Sequence, residues 1–142
     1  MVKSKLLMEK SKKTFNHLKI HTQYSICEGA IKIDDLSKYC KDNKVKAIGM
    51  SDTSNLCGSL EFSEQISKSK TQPIIGSQIK FKFNDIIGSL PIIAKNSDGY
   101  KELINLSSKS FLENSDINDP HCKIELLFNC TKNLIILSGG IN

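Results

Sequence analysis

The densest run of chemistry-bearing side chains is His17-Leu18-Lys19-Ile20-His21-Thr22-Gln23-Tyr24-Ser25, followed by Glu28-Gly29-Ala30. In an extended strand, residues two apart point to one side, so positions 17, 19 and 21 share a face. Histidines at that spacing are raw material for a metal site, because a neutral imidazole offers a lone pair. Here the middle position is Lys19. Its ammonium has no lone pair to give and repels a cation. The plainer reading makes His17 and His21 hydrogen-bonded structural residues. Asp52, between Ser51 and Thr53, reads as a loop cap in preference to a site group. Asp116, Asp119 and His121 do not make a persuasive ligand set, and His121 is expected to be solvated in a polar linker. Gly139-Gly140 has no following GK[ST], so it reads as a turn and not a phosphate cradle.

These residues need elements to hold them. Phe15 to Ile20 reads as a short strand, with a loop from His21 to Ile33. Asp34 can cap a helix running to Asn43, with Leu36, Tyr39 and Cys40 on one face. Val45 to Met50 is an apolar run suited to a buried strand, and Ser51 to Leu56 a polar loop at its C-terminal end. Gly58 to Ser69 reads as a second helix, with Leu60, Phe62 and Ile66 as its apolar positions. Pro73 to Phe83 and Gly88 to Ala94 read as strands turning near Asn84-Asp85. Ile79, Phe81 and Phe83 alternate with Lys80 and Lys82, the period of a half-buried strand. A helix is expected from Ser97 to Leu112, then a polar linker, a helix from Ile124 to Cys130 and a buried strand from Leu134 to Leu137. Such alternation argues for an α/β fold with mostly parallel strands. In those folds the C-terminal strand ends carry the chemistry. Here they are His21 to Glu28, Ser51 to Leu56 and the region from Gly76 to Gln78.

Composition narrows the function classes. The 142 residues are 39% hydrophobic and 25% charged, ordinary values for one globular domain. No run approaches the ~18 apolar residues of a membrane span, and the Lys-rich start lacks the apolar core of a signal peptide. The expectation is a cytoplasmic protein with a flexible basic tail over residues 1–13. The net charge is +5, and every basic residue is a lysine. Lysine neutralises phosphate but lacks the planar fork that reads guanine. The scattered lysines are compatible with a nucleic-acid partner and equally with a solvated surface. Five cysteines with no CxxC pair argue against a disulfide framework or a zinc ribbon.

Beyond single residues, the order of motifs carries a resemblance. His17 to Ser25 with Glu28-Gly29-Ala30 resembles the first motif, H-L-H-x-H-[ST]-x-[YF]-S-x-x-[DE]-G-A, of the PHP (polymerase and histidinol phosphatase) domain of bacterial DNA polymerase III alpha subunits. Ser51-Asp52-Thr53-Ser54-Asn55-Leu56-Cys57-Gly58 resembles T-D-H-G-N-L-x-G. Gln72-Pro73-Ile74-Ile75-Gly76-Ser77-Gln78 resembles K-P-I-I-G-x-E. Leu90 to Asn96 with Gly99-Tyr100 and Leu103 resembles L-x-L-L-A-K-N-x-x-G-Y-x-N-L, and Leu134 to Gly140 resembles G-L-I-x-L-S-G. Five motifs in order cover residues 14 to 140.

The resemblance implies a partial PHP-type distorted (β/α)7 barrel, with residues 14–142 an incomplete PHP domain and the chain a truncated piece of a longer polymerase. It also implies a degraded metal site. The family pattern wants His at Lys19, His at Thr53 and Glu at Gln78, which leaves His21 and Glu28 as vestigial ligand positions. Lys19 is expected to fill the vacated space and pair with Glu28. This segment is then expected to be non-catalytic and without a cofactor. In the parent, a magnesium-dependent DNA-directed DNA polymerase, it would be a scaffold and docking surface. The implied partners are the other polymerase subunits: a proofreading exonuclease subunit at this domain, and a sliding clamp and DNA through regions beyond it. The alternatives are a free-standing metal-dependent PHP phosphoesterase and a binding-only PHP module.

Overall fold

The computed structural model describes residues 15–114, 118–130 and 132–138. The expected tail, Asp116 and Gly139-Gly140 lie outside them.

Helix α1 (Ile33–Asp42) buries Ile33, Leu36 and Cys40, spaced to share one helical face. Its N-cap is Lys32, without a side-chain bond, so Asp34 is not the expected cap but part of the first turn. There it complements the positive end of the helix dipole. Strand β1 (Ala47–Thr53) continues past Met50 through three residues expected in the loop. Helix α2 (Ser59–Lys68) buries Phe62 and Ile66. Leu60, expected beside them, is 71% exposed; two residues from Phe62, it falls on nearly the opposite side of a 3.6-residue turn.

Strands β2 (Gln72–Phe83) and β3 (Ile86–Ala94) form a hairpin, with Asn84 at φ 53° in its turn. Ile79 and Phe81 are buried as the alternation predicts, but Phe83 at the hairpin end is exposed. Helix α3 (Ser97–Leu112) has the expected limits, and its Asn96 cap accepts a 2.9 Å bond from Gly99 N–H. Strand β4 (Cys122–Lys123) is absent from the sequence-based expectation, helix α4 (Glu125–Phe128) is a single turn, and strand β5 (Leu134–Ile136) buries only Leu134. The expected strand from Phe15 to Ile20 reduces to one parallel bridge, Ile20 to Met50. Backbone bonds from Gly49 N–H to His17 O (2.7 Å) and Ser51 N–H to Ile20 O (2.8 Å) flank it.

The result is a mixed α/β fold. The sheet runs β1-β2-β3-β5, with β4 beside β2, and is not closed among the described residues. β1 and β4 pair with β2 in parallel, whereas β3 is antiparallel to both β2 and β5. Four of the five described strands, β1, β2, β4 and β5, thus point the same way, as expected of a mostly parallel sheet, and β3 alone runs against them. A two-residue turn can join only antiparallel neighbours, and β5 runs antiparallel along the other edge of β3.

Register fixes what each sheet face carries. Asp52 pairs with Ser77, and Ser77 with Ile92. By alternation, Ile48, Met50 and Asp52 share a face with Ile75, Ser77, Ile79, Phe81 and Ile92. That face holds two apolar clusters. Ile48, Met50 and Ile75 pack with α1 and α2, and Ile79, Phe81 and Ile92 with Leu103 and Leu106 of α3. Each fully buried large side chain, Phe62 or Leu103 for example, contributes about 1.5–3 kcal/mol. Ser51, Thr53, Gln78, Lys80 and Ser89 belong to the opposite face.

Candidate functional site

The site lies at the C-terminal end of β1, where the His21–Ile31 loop folds over Asp52 and Thr53. Two close approaches set the loop's path. A β-carbon on Gly29 would lie 2.0 Å from the Thr22 carbonyl oxygen, and one on Gly58 would lie 2.5 Å from the Tyr24 ring. Only glycine fits either place. Cys27 (φ 67°) and Ser54 (φ 55°) hold left-handed backbone next to Glu28 and Thr53. Local strain of this sort aims neighbouring side chains.

Asp52 is fully buried. Its Oδ1 accepts from Thr22 N–H at 2.5 Å and from the Ser25 hydroxyl at 2.8 Å, and its Oδ2 accepts from the Thr22 hydroxyl at 2.7 Å. The Ser25 oxygen in turn accepts from Thr53 N–H at 3.1 Å. Asp52 is thus no loop cap but the buried hub that ties the first loop to β1. Sequence reasoning missed this role. The available signal was a lone carboxylate at the end of an apolar strand, where burial demands donors.

Outside this hub stands a second group. The Thr53 hydroxyl donates to Glu28 Oε2 and lies 3.3 Å from His21 Nδ1. His21 Nδ1 is 3.3 Å from the Ser25 hydroxyl and 3.5 Å from Glu28 Oε2. Gln78 pairs with Thr53 across the β1–β2 ladder, its backbone carbonyl accepts from Ser54 N–H at 2.9 Å, and its side-chain oxygen is buried without a partner. His21, Glu28 and Thr53 therefore meet, with Gln78 beside Thr53 on the neighbouring strand. Lys19 does not join them: it is exposed and makes no ion pair among the described residues. The expected Lys19–Glu28 pair is absent because Thr53 and His21 hold Glu28. His17 is exposed; its ring meets Phe15 edge-on at 4.8 Å, and only its backbone carbonyl ties it to β1.

The supporting polar shell is well bonded. The Tyr24 phenol donates to Glu61 at 2.5 Å, and that bond is the main cause of its raised pKa. Asn55 donates to the carbonyls of Tyr24 (3.0 Å) and Thr53 (2.9 Å). Far from the site, Asp119 pairs with Lys80 at 2.6 Å. His121 is partly buried with Nδ1 2.7 Å from the Asp119 carbonyl, so it is held and not simply solvated. Cys40 and Cys122 are buried as small apolar groups, and burial raises the Cys122 thiol to about 11. No group of three or more His, Cys, Asp or Glu poised to hold a metal occurs among the described residues. No described helix is long and apolar enough to cross a membrane.

The DNA polymerase III alpha subunit of Haemophilus influenzae is 34% identical over 134 residues, covering 92% of this chain and 11% of that protein. Those of Caulobacter vibrioides (33% over 139 residues) and Aquifex aeolicus (36% over 146 residues) each cover 89% of this chain and 12% of the relative. The chain thus spans about a tenth of the length of these relatives. The crystal structure of a suspected metal-dependent phosphoesterase from Bifidobacterium adolescentis superposes with a TM-score of 0.55 at 12% identity, covering 69% of this chain and 33% of that one. That likeness concerns the fold. The PHP domain model matches residues 17–142, the span that holds every residue of the site, and the chain belongs to the PHP-domain family.

Proposed function

We propose that this chain is the leading part of the PHP domain of a replicative DNA polymerase III alpha subunit, and that it is a non-catalytic scaffold for its parent. The reading rests on the alpha-subunit relatives and on one local observation. At the positions where a metal would be held, the Thr53 hydroxyl bonds Glu28 and touches His21. A catalytic metal needs about three protein donors and an open position. The donors that converge here are one imidazole and one carboxylate, already bonded through a hydroxyl, beside a neutral amide. This set does not fit a catalytic metal, and no hydrolytic step is derived through one.

The site then acts as a clasp. It closes the first loop over β1 by hydrogen bonds where metal bonds would otherwise do so. The polymerase chemistry, its magnesium, and the contacts with DNA and sliding clamp fall to other regions of the parent, in the cytoplasm. The PHP surface would receive a proofreading exonuclease subunit. The test is metal analysis of the purified chain with a phosphomonoesterase assay in added manganese or zinc. The expected result is substoichiometric metal and no turnover above buffer. Stoichiometric metal with turnover lost in His21→Ala would overturn the reading in favour of a phosphoesterase.

A further inference from the structure

The C-terminal end of α2 packs against the middle of α1. The Ser37 hydroxyl is 2.6 Å from that of Ser69 and donates to the Gln65 carbonyl at 2.8 Å. Both helices finish in the same way. Beyond α1, Val45 N–H bonds Cys40 O at 3.0 Å; beyond α2, Thr71 N–H bonds Ile66 O at 3.4 Å. Each closure needs one residue in the left-handed region, a place that favours glycine or asparagine. Here both places hold lysine: Lys44 at φ 50° and Lys70 at φ 59°.

The result is a groove of about 410 Å³ lined by Lys41, Lys44, Val45, Lys46, Lys68, Ser69 and Lys70. All five lysines are exposed, none is in an ion pair among the described residues, and the lining contains no acid. Lys68 reaches only the amide oxygen of Gln65, at 3.3 Å. Asp42 is adjacent in sequence but does not line the groove. Lysines near helix C-termini offset the negative dipole end, and Lys41 and Lys68 in the last turns already do so. Lys44, Lys46 and Lys70 exceed that need.

We propose that this groove binds the phosphate backbone of duplex DNA without reading its sequence. This adds a nucleic-acid contact to a segment that the scaffold reading leaves without one. The chemistry favours phosphate over an acidic protein. Protein interfaces anchor on tryptophan, tyrosine and arginine and are depleted in lysine, whereas the groove has five lysines, one serine and one valine. It also lacks aromatic rings on which unpaired bases could stack. Flexible point charges suit a regular array of phosphates, densest on a duplex.

The experiment is fluorescence anisotropy of a labelled mixed-sequence duplex against the whole chain over a salt series. K44Q/K46Q/K70Q should weaken binding at least ~10-fold at low salt and lower the slope of log K against log salt by about 2.7, near 0.9 for each phosphate that is no longer neutralised. K32Q/K82Q/K123Q removes the same charge elsewhere and should leave the slope close to wild type. K44G/K70G relieves both left-handed lysines, so it should fold at least as well and still bind more weakly. K44R/K46R/K70R should keep binding. The proposal fails if wild type does not bind, if both glutamine triples weaken binding equally, or if K44G/K70G binds as wild type. It also fails if a polyglutamate peptide competes as well as DNA of equal charge, which would mark an acidic-protein site.

Discussion

The two faces of one sheet treat polar groups in opposite ways. On the helix-covered face Asp52 is fully buried, and Thr22 and Ser25 supply the donors its carboxylate needs. On the other face the Ser51 hydroxyl, the Gln78 side-chain oxygen and the Ser89 hydroxyl are buried with no partner. Burial costs a polar group its water on either face, and only hydrogen bonds offset that cost. The first face is therefore a finished core. The second holds acceptors and hydroxyls that something further, a solvent molecule or another segment, would complete. Thr53 sits at the junction: its side chain belongs to the second face, and its N–H bonds Ser25 in the Asp52 hub.

The sharpest way to break this contrast is to remove the hub. Asp52→Ala strips partners from Thr22 N–H, the Thr22 hydroxyl and the Ser25 hydroxyl at once. The expected loss is about 3–5 kcal/mol, the range for breaking a buried charged network, read as a fall in the urea midpoint at unchanged m-value. A loss below ~1 kcal/mol would mean that the hub is dispensable. Gln78→Met tests the other face. It keeps the volume and removes an unpartnered acceptor, so stability should stay level or rise by up to about 1 kcal/mol. A loss above ~2 kcal/mol would show that the Gln78 oxygen has a partner in solution, and the two faces would no longer differ.

How much of this is legible in the sequence follows the same divide. Local signals read well. The expected limits of α3 hold, and alternation places β2 and its turn. The site positions His21, Glu28, Thr53 and Gln78 come from the family resemblance, and the structure brings the first three together, with Gln78 beside Thr53. What fails depends on long-range packing. Strand alternation puts Lys19 on the face of His21, and the vacated metal position implied by the resemblance puts it beside Glu28. The segment before Ile20 is not a regular strand, so alternation does not apply, and the ammonium faces solvent. Asp52 reads wrongly as a cap because its three donors lie 27 to 30 residues away in the chain. Two-residue β4 has too little pattern to read, and its place comes from pairing with Phe81 and Lys82. The antiparallel partners of β3 are partly legible, since two strands joined by Asn84-Asp85 without a helix must form a hairpin.

The smallest expected effect concerns Lys80, the one cation of the second face that has an ion-pair partner among the described residues. It stands opposite Ser89 and reaches Asp119 at 2.6 Å. Its hydrogen bond is the chief cause that holds the Asp119 carboxyl below its ordinary value of 3.8, against a smaller opposing push from burial. A carboxyl depressed in the folded state contributes stability above its unfolded pKa and loses it as pH falls through the folded one. Asp119→Asn should therefore melt slightly below wild type near neutral pH, and the gap should close as pH drops from about 4 downward. Both groups are a third or more exposed, so solvent screens the pair and the gap should be small and shrink further in salt. A gap that persists at low pH would assign the Asp119 contribution to packing instead of charge. In that case the second face would be held at Lys80 by shape alone.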